Sequence, residues 1–146
     1  MSSIDHHNSL ANIRHFFEHL SLDSLAMIDT VYTKDAYFKD PFNEVRGIEP
    51  VTRIFRHMFE QVDIPNFVVT HTLLQDDHAF LTWQFSFRMR RWHSDTQQII
   101  GASHVRFADD GRVVYHRDYW DAAEQLYEKV PVLGSAMRWL KRAAQK

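Results

Sequence analysis

The sequence contains no cysteine, which excludes disulfides, thiol nucleophiles and cysteine-ligated zinc at once. It also lacks an excess of either charge. Its 17 Lys and Arg stand against 19 Asp and Glu, a formal net charge of -2. A nucleic-acid-binding domain carries a strong basic excess, so no nucleic-acid partner is expected. No apolar run approaches the roughly 18 residues of a membrane span. The polar opening MSSIDHHNS has no hydrophobic signal-peptide core. There is no internal repeat, linker or low-complexity tract. The expectation is one soluble, cytoplasmic domain over residues 1–146, with no membrane attachment.

What is present is apolar and aromatic. Hydrophobic residues make up 45% of the chain and aromatics 14%, enough for one sizeable core. The first part has helical spacing. Leu10, Ile13, Phe17 and Leu20, with Phe16 beside them, share one face of a helix over 8–20, which Asn8 or Ser9 would cap. A second helix fits 23–32, with Leu25, Ile28 and Val31 or Tyr32 inward and Ser21 or Asp23 as cap. Residues 34–39 read as a short aromatic strand running into Asp40-Pro41-Phe42, where the proline holds Asp40 extended at a turn. Gly47 closes that loop. Pro50 suits the first turn of a third helix, which reaches about Val62 before Pro65-Asn66 breaks it.

From Phe67 the apolar period changes to two, which predicts strands over 67–74, 79–92, 98–108 and 112–121. On the long strand Trp83, Phe85, Phe87 and Met89 lie on one side, with Arg88 and Arg90 on the other. Two buried, unpaired guanidinium groups would be very costly, so the aromatic side is the inner one. Asp110-Gly111 between apolar runs predicts a type I′ hairpin, with φ > 0 at both central residues. In its second arm Val114, His116, Asp118 and Trp120 share a face. An imidazole, a carboxylate and an indole together suit a pocket wall. Pro131 and Gly134 interrupt the tail, and Met137, Leu140 and Ala144 stripe a terminal helix capped by Ser135; with Arg138, Lys141, Arg142 and Lys146 beside the stripe it reads as a lid on the pocket or as a membrane-surface or partner helix.

Helices followed by a long antiparallel meander predict an α+β domain, a cone-shaped barrel of three N-terminal helices packed in a curved, mostly antiparallel sheet. Its interior is the ligand site. Asp40, among Tyr37, Phe38 and Phe42, reads as a general base or as a turn residue, since Asp-Pro starts turns. His116 and Asp118, two apart on a strand, point the same way. They read as an acid/base pair or as two polar groups satisfying each other. Two ligands do not make a metal site, so neither metal nor organic cofactor is expected.

At 32–42, YTKDAYFKDPF, and at 105–120, VRFADDGRVVYHRDYW, the chain resembles the NTF2-like superfamily, nearest the SnoaL-like polyketide cyclases and the ketosteroid isomerases. The resemblance covers nearly the whole chain in element order. It implies a cone with a deep apolar pocket, often dimeric through the sheet. It also implies that Asp40 matches the isomerase base, Asp118 the acid/base of the cyclases, and Trp120 a pocket wall. Phe16 stands where the isomerases carry the tyrosine that stabilises the enolate, and Ser103 where they carry a protonated aspartate. Phe16 offers no donor to an oxyanion. The resemblance turns Ser103 inward and His104 outward, toward a dimer contact.

Two functions follow as expectations. One is an acid/base enzyme of isomerase, cyclase or hydratase type, using Asp118 or Asp40 with His116 in support. Its substrate is a small apolar, cyclic molecule held by Trp120, Trp83, Phe85, Phe87, Phe16, Phe42 and Ser103. The other is a non-catalytic ligand-binding or scaffold protein of the same fold. In both the protein is expected to be a homodimer through the outer sheet face.

Overall fold

The structure, a computed structural model, describes residues 4–90, 96–125, 139 and 142–145. The terminal helix expected after Ser135 falls largely outside the described residues, as does Trp92.

The first helix, α1, spans His7–Glu18 and buries Ile13, Phe16 and Phe17, as the i, i+3, i+4 spacing requires. It has no side-chain cap. Ser9 is buried and hydrogen-bonds His6 Nδ1 at 3.0 Å instead. The second helical stretch is a 3-10 segment over Asp23–Thr30, kinked at Met27. Ser21 Oγ accepts the Ser24 N–H at its start, at 3.1 Å. The segment ends before Tyr32, which opens a strand rather than closing a helix.

The remaining elements are β1 (Tyr32–Lys39), β2 (Glu44–Arg46), α2 (Ile48–Gln61), β3 (Val62–Gln75), β4 (His78–Met89), β5 (Gln97–Phe107), β6 (Val113–Tyr119) and the short α3 (Ala122–Gln125). They form one sheet in the order β2-β1-β6-β5-β4-β3. Only β1 and β6 run parallel; the other pairs are antiparallel. Strand β2 was not expected from its three residues. Strand β3 begins at Val62 rather than Phe67, because a register shift between Asp63 and Asn66 absorbs Pro65, which has no N–H for the ladder.

Helices α1 and α2 pack into the concave face of the sheet. Phe16, Phe17, Val51 and Phe55 meet Phe38 and Val105 there in the main core. A second cluster, Val62, Trp83, Phe85, Phe87 and Ile99, occupies the other end of the concave face. The inner side of β4 is therefore the aromatic one.

Two local expectations about the last hairpin are corrected. Gly111 has φ +89, but Asp110 keeps a negative φ, so the turn is not type I′. The Gly111 N–H donates to Ala108 O at 2.9 Å, a type I turn that closes on a left-handed glycine. A register shift next to it pairs Phe107 with Val113 and Arg106 with Tyr115. The extra residue resets the alternation, so Val113 and not Val114 is buried in line with His116.

Candidate functional site

The site begins with the register of β4, β5 and β6. Across the inner face Trp83 pairs with Gly101, and Ser103 pairs with Asp118. A Cβ at position 101 would lie 2.5 Å from Trp83 Cη2 and 2.7 Å from Cζ2. Gly101 is thus the space that lets the Trp83 ring lie flat on the sheet. There Trp83 Nε1–H donates to Ser103 Oγ at 2.8 Å. Indole is a donor only, so Ser103 accepts from it and gives its own proton to Asp118 Oδ1, 2.5 Å away.

A second line of hydrogen bonds reaches the same oxygen from the other side. His116 Nε2 lies 2.6 Å from Asp118 Oδ1, and His116 Nδ1 lies 2.7 Å from the Tyr32 hydroxyl. Tyr32 is 0% exposed and His116 1%. The buried phenol has His116 Nδ1 as its partner, so it donates to it. Of the two tautomers this selects Nε2–H, which points at Asp118. Burial first, and the nearby Asp118 charge second, push the Tyr32 phenol well above its ordinary range, so it remains protonated. All the donors converge on Oδ1. Asp118 Oδ2 has no hydrogen-bond partner among the described residues, and Asp118 lines both an aromatic cavity and an open groove beside it.

That cavity encloses about 220 Å3. Its walls are Phe67 stacked on Phe85 at 4.2 Å, Phe87 stacked on Phe85 at 5.0 Å, and Trp83 edge-on to Phe67 at 5.5 Å. Phe42 and Trp120 meet edge-to-face at 5.6 Å beside Asp40 at its mouth. Asp40 does sit at a turn. Its Oδ1 accepts from the backbone N–H of Phe42 (2.8 Å) and Asn43 (2.7 Å), and Asn43 Nδ2 donates to both oxygens.

The sequence-derived candidates therefore divide. Asp118, Asp40, Trp120, Trp83, Phe85, Phe87 and Phe42 line the cavity. His116 and Ser103 lie behind the wall and act on it through Asp118. Phe16 is a core residue, edge-on to Tyr32 and Phe55, and does not line the cavity. Tyr32 went unrecognised in the sequence. Its one signal was its place at the head of the YTKDAYFKDPF stretch. His104 faces outward, as expected, stacked on Phe80 at 4.4 Å and hydrogen-bonded to His78 at 2.8 Å.

A curved sheet wrapped over helices, with an aromatic cavity and one oriented carboxylate inside, defines a cone of the NTF2-like type. A sequence profile of the SnoaL-like domain matches residues 13–116, and the chain belongs to that family. The match stops short of Asp118 and Trp120. No functionally curated protein matches the chain. Three solved structures show the shared fold. A protein of ketosteroid isomerase-like fold from Catenulispora acidiphila, in complex with trimethylamine, is 11% identical over 82% of this chain and 90% of its own, with a TM-score of 0.70. A proposed SnoaL-like polyketide cyclase from Jannaschia sp. is 14% identical over 77% and 85%, with a TM-score of 0.69. An epoxide hydrolase of LEH-like type from M. tuberculosis is 14% identical over 82% and 85%, with a TM-score of 0.64. No helix among the described residues is long and apolar enough to cross a membrane.

Proposed function

We propose that this protein is an acid/base enzyme for a small apolar substrate, with Asp118 as the group that takes and returns a proton. The observation that carries this reading is the one-sided solvation of Asp118. His116 and Ser103 both donate to Oδ1, Oδ2 has no partner among the described residues, and Asp118 lines the aromatic cavity. Two donors on one oxygen orient the carboxylate without occupying its reactive edge. The hydrogen-bond chain ends at Tyr32, a phenol buried in the core and held protonated. A proton taken up by Oδ2 has no exit through that chain. It goes back to the substrate or out through the mouth. This suits isomerisation or cyclisation, in which the same group removes a proton and returns it. Asp40 is a second carboxylate at the rim, tied to its own turn.

The neighbours in fold include a proposed cyclase, an epoxide hydrolase and a protein in complex with a small amine. The fold is thus compatible with several chemistries, and the site decides among them. A binding module without turnover is the second reading. It is favoured by Phe16, which offers no donor to an oxyanion, and by the absence of any α1 residue from the cavity lining among the described residues.

The test is turnover of a panel of small cyclic ketones, enones and epoxides by wild type and Asp118→Asn. The variant keeps the shape and can accept both hydrogen bonds, but it cannot take a proton. Turnover is expected to vanish, with ligand affinity kept within about tenfold. Turnover that survives the change removes Asp118 from the mechanism. Binding without turnover in both proteins favours the binding module.

We further infer a homodimer through the outer sheet face. Tyr37 stacks on Tyr115 at 5.2 Å, His104 lies against Tyr115 and Phe80, and Phe80, Ile100 and Tyr119 are exposed on the same face. Such an apolar, aromatic surface calls for cover.

A further inference from the structure

The outer face of the sheet carries a histidine pair in the middle of its apolar surface. In register, Leu73, Phe80, His104 and Arg117 form one row across β3, β4, β5 and β6. The His104 ring stacks on Phe80 at 4.4 Å and meets Tyr115 edge-on at 5.2 Å, and Tyr115 stacks on Tyr37 at 5.2 Å. The imidazole thus joins two apolar groups, Phe80 with Leu73 on one side and Tyr115 with Tyr37 on the other. Leu73 is 72% exposed and Phe80 46%. A second copy that covers both groups covers His104 as well.

His78 Nδ1 and His104 Nε2 lie 2.8 Å apart. A neutral imidazole has one N–H and one open nitrogen, so two neutral rings fill this bond with one donor and one acceptor. One added proton leaves the bond standing, and Asp77 Oδ1, 3.6 Å from His78 Nε2, favours it on His78. A second proton sets two N–H groups face to face and two charges side by side.

The groups around His104 oppose that second charge. Strand β5 brings Arg106, β6 brings Arg117 and Tyr115, and β4 brings His78. The turn before β4 brings Asp77, which is engaged with Arg106 at 3.5 Å as well as with His78. On β3, His71 turns to Thr82 Oγ1 at 3.3 Å. Beyond Arg117, β1 brings Lys39, bonded to Glu44 Oε2 at 3.0 Å. Cations outnumber carboxylates around the pair, among the described residues. In the single chain, burial first, then His78, then Arg106 already hold His104 below histidine's ordinary value.

A twofold dimer sets a surface against its own copy. His104 then loses the water that solvates an imidazolium, and the same cationic patch arrives from the other copy. Both effects disfavour the charged ring. The dimer therefore binds fewer protons than two free chains, so a falling pH favours the free chains. The window opens below about pH 6.5, where a free histidine begins to charge.

We propose that the His78–His104 pair makes the outer-face homodimer acid-labile, closed while the pair is neutral and released when both rings carry protons. This rests on the homodimer inferred above, and it names the device that regulates it.

Sedimentation velocity over a concentration series at pH 7.5 and 5.5 gives the dimer dissociation constant of wild type and His104→Phe. Circular dichroism at both pH values follows the fold. Wild type is expected to dimerise at least about tenfold more weakly at pH 5.5, since a proton enters each chain on release. His104→Phe keeps a ring on Phe80 and takes no proton, so its constant is expected to change less than about threefold. His78→Gln decides the matter should that variant not fold. Its amide oxygen accepts from a protonated His104, and the acid loss is expected to shrink severalfold. A wild-type dimer equally tight at both pH values overturns the proposal and leaves the homodimer standing. A wild type that unfolds at pH 5.5 before it dissociates overturns it as well, as does an acid loss equal in wild type and His104→Phe. No wild-type dimer at pH 7.5 overturns it together with the homodimer.

Discussion

The Tyr32 hydroxyl donates to His116 Nδ1 at 2.7 Å, joining residues 84 positions apart. The bond exists because β1 and β6 are neighbours, the one parallel pair in the sheet. It fixes which nitrogen of His116 carries the proton, and so which group Asp118 Oδ1 receives. Tyr32 reaches the carboxylate only through the imidazole and does not line the cavity.

Tyr32→Phe removes the hydroxyl and leaves His116 Nδ1 buried without a partner. A loss of about 1–3 kcal/mol of stability is expected from that unsatisfied nitrogen. Urea unfolding of the two proteins measures it. Nitrogen-15 spectra of the His116 ring supply the second reading. They are expected to show a single Nε2–H tautomer in wild type and a mixture in the variant. A variant as stable as wild type, with the same spectrum, contradicts the assigned role.

Gly101→Ala places a methyl 2.5 Å from the Trp83 ring and 3.0 Å from the Tyr119 carbonyl oxygen. The indole must turn, breaking its bond to Ser103 and narrowing the cavity. Overpacking of this kind costs about 1–3 kcal/mol. The unfolding midpoint and the Trp fluorescence spectrum are both expected to change. An unchanged midpoint means the ring does not lie where the bond to Ser103 places it.

His104 is held below histidine's ordinary 6.5, first by partial burial, then by His78 and Arg106. The sign is that of a depressed base. Above about pH 6.5 both folded and unfolded chains hold it neutral, and its contribution is intact. As pH falls from there toward the folded value, the unfolded chain takes up the proton first, so stability is lost in that window. His78, Arg106 and Tyr115 face it, and Asp77 approaches both His78 (3.6 Å) and Arg106 (3.5 Å). Unfolding midpoints at pH 7.5 and 5.5 for wild type and His104→Gln isolate this contribution. A smaller acid loss in the variant is expected, and an equal loss removes His104 as a source.

Sedimentation at tens of micromolar, chosen for roughly micromolar affinity, is expected to give twice the mass of one chain. Phe80 and Ile100 lie on the outer face, 46% and 57% exposed. Changing both to Glu adds like charges across the interface and is expected to give a monomer with an unchanged unfolding midpoint at low concentration. A wild type that sediments as a monomer counts against the homodimer.

Much of the architecture was legible because periodicity is local. The two-residue alternation of β4 put Trp83, Phe85 and Phe87 on the inner face without any knowledge of what lay opposite. The same period aligned His116 with Asp118, since two residues on one strand keep their relative direction whatever pairs with it. The helical spacing of α1 and α2 was equally self-contained. The reading failed where an extra residue resets the period, as at Val113 and Val114, and where a turn has more than one backbone solution, as at Asp110-Gly111.

The sequence by itself determined the α+β order, the aromatic inner face and the shared direction of an imidazole and a carboxylate, because each depends on residues a few positions apart. The tertiary structure decided the rest. Only the pairing of β1 with β6 brings Tyr32 to His116, and only the register of β4, β5 and β6 aligns Trp83, Gly101, Ser103 and Asp118. Those registers bury His116 behind the wall, leave Phe16 in the core, and hold Asp118 Oδ1 between His116 and Ser103. Hydrogen bonds between strands far apart in sequence set which edge of a carboxylate is satisfied, and no local pattern encodes that edge.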